Sequence, residues 1–206
     1  MEVVLAGDII NSRTDGAQKY LNIFEKHLKK LSTNGLYQIY RGDSFQVYIE
    51  NPETALHSVM LLKLLLKKEH NLDVRIAIGI GDVKIVKNDI AKSQGTALLR
   101  SGLLLDNLKD LHQNLMIDSG HHLDQYMNTA FELAMTYMEN WTINAAQVMY
   151  EALSNPQLSQ EEIGSKIGIK QATASRRLSR AHWNETKKLL QLYRTYLKDI
   201  AYGDVD

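Results

Sequence analysis

Apolar and polar positions follow two rhythms along this chain. The first half mixes strand-like runs with amphipathic helices, and the second half keeps a helical period. "EVVLAGDII" is a continuous apolar run interrupted only near its end, which predicts a strand buried on both faces. "NSRTDG" breaks it, and "AQKYLNIFEKHLKKLS" then places Tyr20, Ile23, Phe24, Leu28 and Leu31 at helical spacing. "LYQIY" and "FQVYI" are rich in β-branched and aromatic residues and flank Gly42 and Asp43. This predicts a hairpin whose tip residues both tolerate positive φ. In "NPETALHSVMLLKLLLKK", Asn51 suits an N-cap, Pro52 the first helical position and Glu53 the first turn. "LDVRIAIGIGDVKIV" alternates Val74, Ile76, Ile78, Ile80, Val83 and Ile85, with Gly81-Asp82 as a second hairpin-like break. "GTALLRSGLLLDNLKDL" reads as a helix and "NLMIDS" as a short strand. The order is βαββαβ with an added hairpin, helix and strand.

That order has a geometric consequence. A strand, crossover helix and second strand in one sheet run parallel. In the split-βαβ arrangement the hairpin returns a third strand between them. Asp8, near the end of the first strand, and Asp43, in the turn, then meet at one sheet edge. Two carboxylates converging there suit a divalent cation. The plainer alternative makes Asp8 a strand-end cap and Asp43 a turn former. Against it stands the cost of a carboxylate in an apolar run, which a cation or several donors must offset.

From residue 121 the rhythm is helical. Leu123, Tyr126, Met127, Ala130, Phe131, Ala134 and Met138 form one apolar stripe, in which the methionines read as packing residues. The adjacent His121 and His122 point to different sides of a helix and read as a loop or helix-start pair rather than a metal site. In "LSQEEIGSKIGIKQATASRRLSRAHW", Ser159 is an N-cap with Glu161 and Glu162 in the first turn. Ile163 and Ile167 face inward, Gly164 allows a close helix crossing, and Gly168 turns the chain. Ile169 plugs the turn, and Ala174 and Leu178 face inward from the next helix. This is a helix-turn-helix pattern. Its outward face carries Lys170, Gln171, Ser175, Arg176, Ser179 and Arg180, with Arg177 flanking. Arg and Gln are suited to base edges, Lys and Ser to phosphates. The alternative is a helix pair that packs on a partner protein. The closing stripe of Leu189, Leu192, Tyr193, Tyr196, Leu197 and Ile200, or the one at 123–138, would serve either as a homodimer seam or as core.

Composition sharpens this picture at one place. The 206 residues carry zero formal net charge, so no global field attracts nucleic acid or membrane. Yet residues 166–180 hold cations at 166, 170, 176, 177 and 180 and no acid, a local excess. The chain has no cysteine, which suits a reducing cytoplasm and excludes thiolate metal sites. Its N-terminus lacks a basic n-region, and no apolar run approaches a membrane span. A cytoplasmic protein with no membrane partner is expected.

Three motifs in order, "VVLAGDII", "YRGDSFQVYI" and "DVRIAIGIGDV", resemble the palm-type catalytic domain of class III nucleotidyl cyclases and GGDEF domains. "GDIINSR" with "GDSFQ" is closer still to the SatD family of small bacterial proteins. The resemblance implies an α/β (α+β) chain in three parts: a ferredoxin-like, cyclase-like palm domain over 1–118, a linker helix over 119–140, and an all-α helix-turn-helix domain over 141–206. It implies Mg²⁺ or Mn²⁺ on Asp8, Asp43 and the Ile9 carbonyl. A nucleotide would then have its phosphates at the backbone of Asn11, Ser12 and Arg13, helped by the Arg13 side chain. One departure counts against cyclisation. Where cyclases carry Asn and Arg on the helix after the second hairpin, this chain has Leu99 and Leu103, which donate no hydrogen bond. Two functions follow: a DNA-binding regulator, dimeric on double-stranded DNA, with a nucleotide-sensing domain, or a metal-dependent nucleotidyl-transfer or nucleotide-hydrolysing enzyme with an accessory helix-turn-helix.

Overall fold

The structure is a computed structural model and describes residues 1–10 and 17–202. The fold is mixed α/β, with strands β1 (Glu2–Ile10), β2 (Tyr37–Tyr40), β3 (Ser44–Ile49), β4 (Asp73–Gly81), β5 (Lys84–Val86), β6 (Asp89–Gln94) and β7 (Leu115–Asp118). The helices are α1 (Ala17–Leu31), α2 (Ala55–His70), α3 (Thr96–Leu108), α4 (Asp124–Met138), α5 (Ile143–Ser154), α6 (Gln160–Lys166), α7 (Gln171–Arg180) and α8 (Trp183–Tyr202). Five strands form one sheet in the order β2-β3-β1-β4-β7. β3 lies between β1 and β2 and antiparallel to both, as the split-βαβ order requires. β4 is antiparallel to β1, and β7 runs parallel to β4 at the far edge.

Strand alternation assigns the two faces. Val3, Leu5 and Ile9 of β1, with Val74, Ile76, Ile78 and Ile80 of β4, join the core that contains Tyr20, Phe24 and Leu28 of α1. Val4 of β1 and Tyr48 of β3 point the other way, toward Ala97 of α3 and Ile90 of β6. α2 is apolar nearly all round because the sheet lies on one side and α5 on the other. Its Leu56, Met60, Leu62, Leu64 and Leu66 are fully buried, and each such side chain contributes about 1.5–3 kcal/mol of transfer free energy. α2 opens as its sequence implies: Asn51 Oδ1 accepts from the Glu53 N–H, one residue after Pro52.

On the other face, α3 lies close enough to β4 to leave no room for side chains. A Cβ on Gly79 would come within 2.2 Å of the Ala97 carbonyl oxygen and 2.6 Å of the Ser101 N. "GIG" therefore marks a helix lying on a strand. It is not a hairpin entry: Gly81-Asp82 ends β4, and the second hairpin turns at Lys87-Asn88, both at positive φ. Asp82 instead caps α3 across space, accepting from the Thr96 N–H at 3.2 Å. At the first hairpin, Arg41 and Gly42 adopt positive φ and Asp43 does not, so Asp43 is not there for its backbone freedom.

The second half packs on the first through one continuous core running from β1 to α8. Met127, Phe131, Met135 and Met138 of α4 are buried, as are Tyr193, Tyr196, Leu197 and Ile200 of α8. Most of both stripes that offered a dimer seam is buried within the chain, while Tyr126 of α4 and Leu192 of α8 remain exposed. Polar ties reinforce the packing. The Tyr193 hydroxyl donates to the Pro52 carbonyl at 3.0 Å, and Trp141 Nε1–H donates to the Ala181 carbonyl at 2.9 Å. His121 and His122 precede α4, and His121 Nδ1 accepts from the Leu123 N–H. No helix among the described residues is long and apolar enough to cross a membrane.

Candidate functional site

β1 and the β2–β3 turn bring Asp8 and Asp43 to the same sheet edge. Asp8 pairs with Ser44 in the ladder, and the Ile9 N–H donates to the Asp43 carbonyl at 2.9 Å. The Ile9 carbonyl lies on that same side of β1. Asp8 sits on the α3 face, opposite Arg75 in the β1–β4 register. Arg75 Nη1 donates to both Asp8 carboxylate oxygens at 3.0 Å, and Lys109 Nζ, from just past α3, lies 3.6 Å from Oδ2. The Asp8 and Arg75 side chains are only 18% and 14% exposed. Tyr40 stands nearby: burial pushes its phenol up, and Asp106 and Asp8 add to that rise against an opposing Arg41.

The carboxylate in the apolar run is thus offset by the chain's own cations. Among the described residues no three His, Cys, Asp or Glu side chains cluster as a metal site would require. The donor set does not fit a divalent ion as it stands, because an ion must first displace Arg75. Sequence reasoning missed Arg75, although an arginine inside "DVRIAIGIG" is as anomalous there as Asp8 is in its own strand. Asn11, Ser12 and Arg13 lie outside the described residues. Leu99 and Leu103 occupy the outer side of α3, 61% and 57% exposed, away from the sheet.

The second candidate is the α6–α7 pair. Ser159 and Glu162 form a reciprocal capping box at the start of α6, which holds the Glu162 carboxyl below the usual carboxylate range. Gly168 turns the chain at φ 73°. The close approach expected at Gly164 is to the turn itself, since a Cβ there would come within 2.7 Å of the Ile169 carbonyl oxygen. Ile163, Ala174 and Leu178 are buried between α5, α6 and α7. Lys170, Gln171, Arg176, Ser179 and Arg180 are exposed, while Ser175 and Arg177 are half-buried at the flanks. Lys166 is engaged by Glu151 at 2.7 Å. Among the described residues Lys170, Arg176, Arg177 and Arg180 form no ion pair. Arg176 Nε donates back to the Ala172 carbonyl, and Gln171 Nε2 donates to Gln160 Oε1. The result is a solvent-facing helix carrying unneutralised cations and amide donors on one side.

Compared with protein-family models, curated proteins and solved structures, the chain matches none.

Proposed function

We propose that this chain is a cytoplasmic DNA-binding regulator, in keeping with its resemblance to the SatD family. In this reading α6 and α7 form a helix-turn-helix whose second helix enters the major groove of double-stranded DNA. One observation carries the proposal. In a chain of zero net charge, α7 opens to solvent with Lys170, Arg176 and Arg180 exposed and without carboxylate partners among the described residues. A cationic helix face raised above a well-packed core suits a polyanion, and Arg and Gln side chains there suit base edges. The palm-like half would be the sensing half, and two copies would read a two-fold site. The test is fluorescence anisotropy of the chain with duplex DNA pools at rising salt. Selection of a bound sequence with a steep salt dependence supports the reading, and no binding at low salt refutes it.

A second reading draws on the meeting of Asp8 with Asp43 at one sheet edge. Mg²⁺ or Mn²⁺ with a nucleotide would bind at Asp8, Asp43 and the Ile9 carbonyl once Arg75 releases Asp8. The Arg75→Gln variant should then bind Mn²⁺ more tightly than the native chain in calorimetry. Equal or absent binding in both removes this reading.

A further inference from the structure

A cavity of about 470 Å³ opens between α2, α5, α6, α7 and α8, within the range of about 300–1,000 Å³ usual for small-molecule sites. Its floor is apolar and buried, made by Leu153, Ile163 and Leu178. Its rim carries Lys187 and Arg194, both exposed, and one wall is the indole of Trp183, with Lys187 Nζ 5.6 Å from the ring centroid. Neither cation forms an ion pair among the described residues, and no Asp or Glu lines the cavity.

We propose that this cavity binds a small planar aromatic molecule bearing one anionic group, and that the ligand acts as an effector of α7. The ring would lie on the apolar floor while the anion draws in Arg194 and Lys187 from the rim, where they stand about two turns apart on α8. Leu178 belongs to α7 and Ile163 to α6, so an occupant touches the inner sides of both helices whose turn sets the outward basic face. The effector step rests on the DNA-binding reading, whereas the binding step does not.

The experiment is calorimetric titration of the full chain with 4-hydroxybenzoate and with AMP, and with their neutral counterparts 4-hydroxybenzamide and adenosine. The two anions separate a carboxylate from a phosphate source. One of them should saturate a single site, with its neutral counterpart at least tenfold weaker. Arg194→Gln and Lys187→Gln, both at exposed positions, should each weaken that anion at least tenfold while leaving the melting temperature of the free protein unchanged. Absence of saturable binding by either anion overturns the proposal, as does equal binding of the neutral partners or of both variants. DNA affinity is then measured with and without the anion that binds. A change that Arg194→Gln abolishes supports the effector step, and an unchanged affinity overturns it. Failure to bind DNA in the absence of ligand removes the regulator reading instead and leaves the binding result standing.

Discussion

Asp8 and Arg75 face each other directly across the β1–β4 ladder, with one guanidinium nitrogen 3.0 Å from both carboxylate oxygens. Both side chains are less than a fifth exposed, so each is tolerable mainly because of the other. Arg75→Met should destabilise the chain by about 2–3 kcal/mol, somewhat below the cost of breaking a fully buried pair because Lys109 still reaches Asp8. The double variant with Asp8→Asn should recover part of that loss. Urea denaturation of the four proteins in the cycle measures it, and strictly additive losses would show that the pair is not coupled.

Binding to DNA should depend on α7 in two distinguishable ways. Arg176→Ala should cost roughly 1–3 kcal/mol on a selected site and relax its sequence preference, because Arg reads base edges bidentately. Lys170→Ala should weaken all sequences alike and reduce the salt slope by about one. Anisotropy titrations on selected and scrambled duplexes at several salt concentrations separate the two. Identical profiles for the two variants would mean that neither residue reads bases.

Gly164→Ala tests whether the α6–α7 angle matters. Its new Cβ would meet the Ile169 carbonyl, which is backbone and cannot swing aside as a side chain would. The expected loss is roughly 1–3 kcal/mol of stability, with weaker DNA binding at temperatures where the variant is still folded. Native-like thermal stability would contradict the close approach of the turn to Gly164.

His27 gives a pH dependence. Its Nδ1–H donates to the Ile23 carbonyl, so its Nε2 accepts from the Tyr150 hydroxyl and ties α1 to α5. Burial lowers its pKa; Lys30 and Lys68 push the same way, against the Ile23 hydrogen bond and Glu69. With the folded value below the unfolded one, the unfolded chain binds the extra proton in between. This contribution to stability is present above the ordinary value of 6.5 and is lost as pH falls through the lowered folded value. The melting temperature should therefore drop on acidification below about pH 6.5. The drop should be smaller in His27→Gln, and an unchanged slope in that variant would assign it to other groups.

Local patterns in the sequence determined the elements and much of their burial. Nearest-neighbour chemistry is written in periodicity and caps: the both-faces-buried β1, the Asn51-Pro52-Glu53 start, the capping box at Ser159 and the inward Ala174 and Leu178 all depend on residues within a few positions of one another. The meeting of Asp8 with the Asp43 turn was legible too, because the split-βαβ topology leaves few alternatives. Only the tertiary structure decided what each charged group faces. Arg75 lies 67 positions from Asp8 and reaches it only through strand register, which no local pattern encodes. The same holds for Gly79 under α3, for the second hairpin turning at Lys87-Asn88 rather than Gly81-Asp82, and for the cavity where Trp183, Lys187 and Arg194 of α8 meet α2 and α5. It also decided that most of the apolar stripes of α4 and α8 is covered from within, with Tyr126 and Leu192 left exposed. A stripe records that a face must be buried, and only the packed chain shows against what.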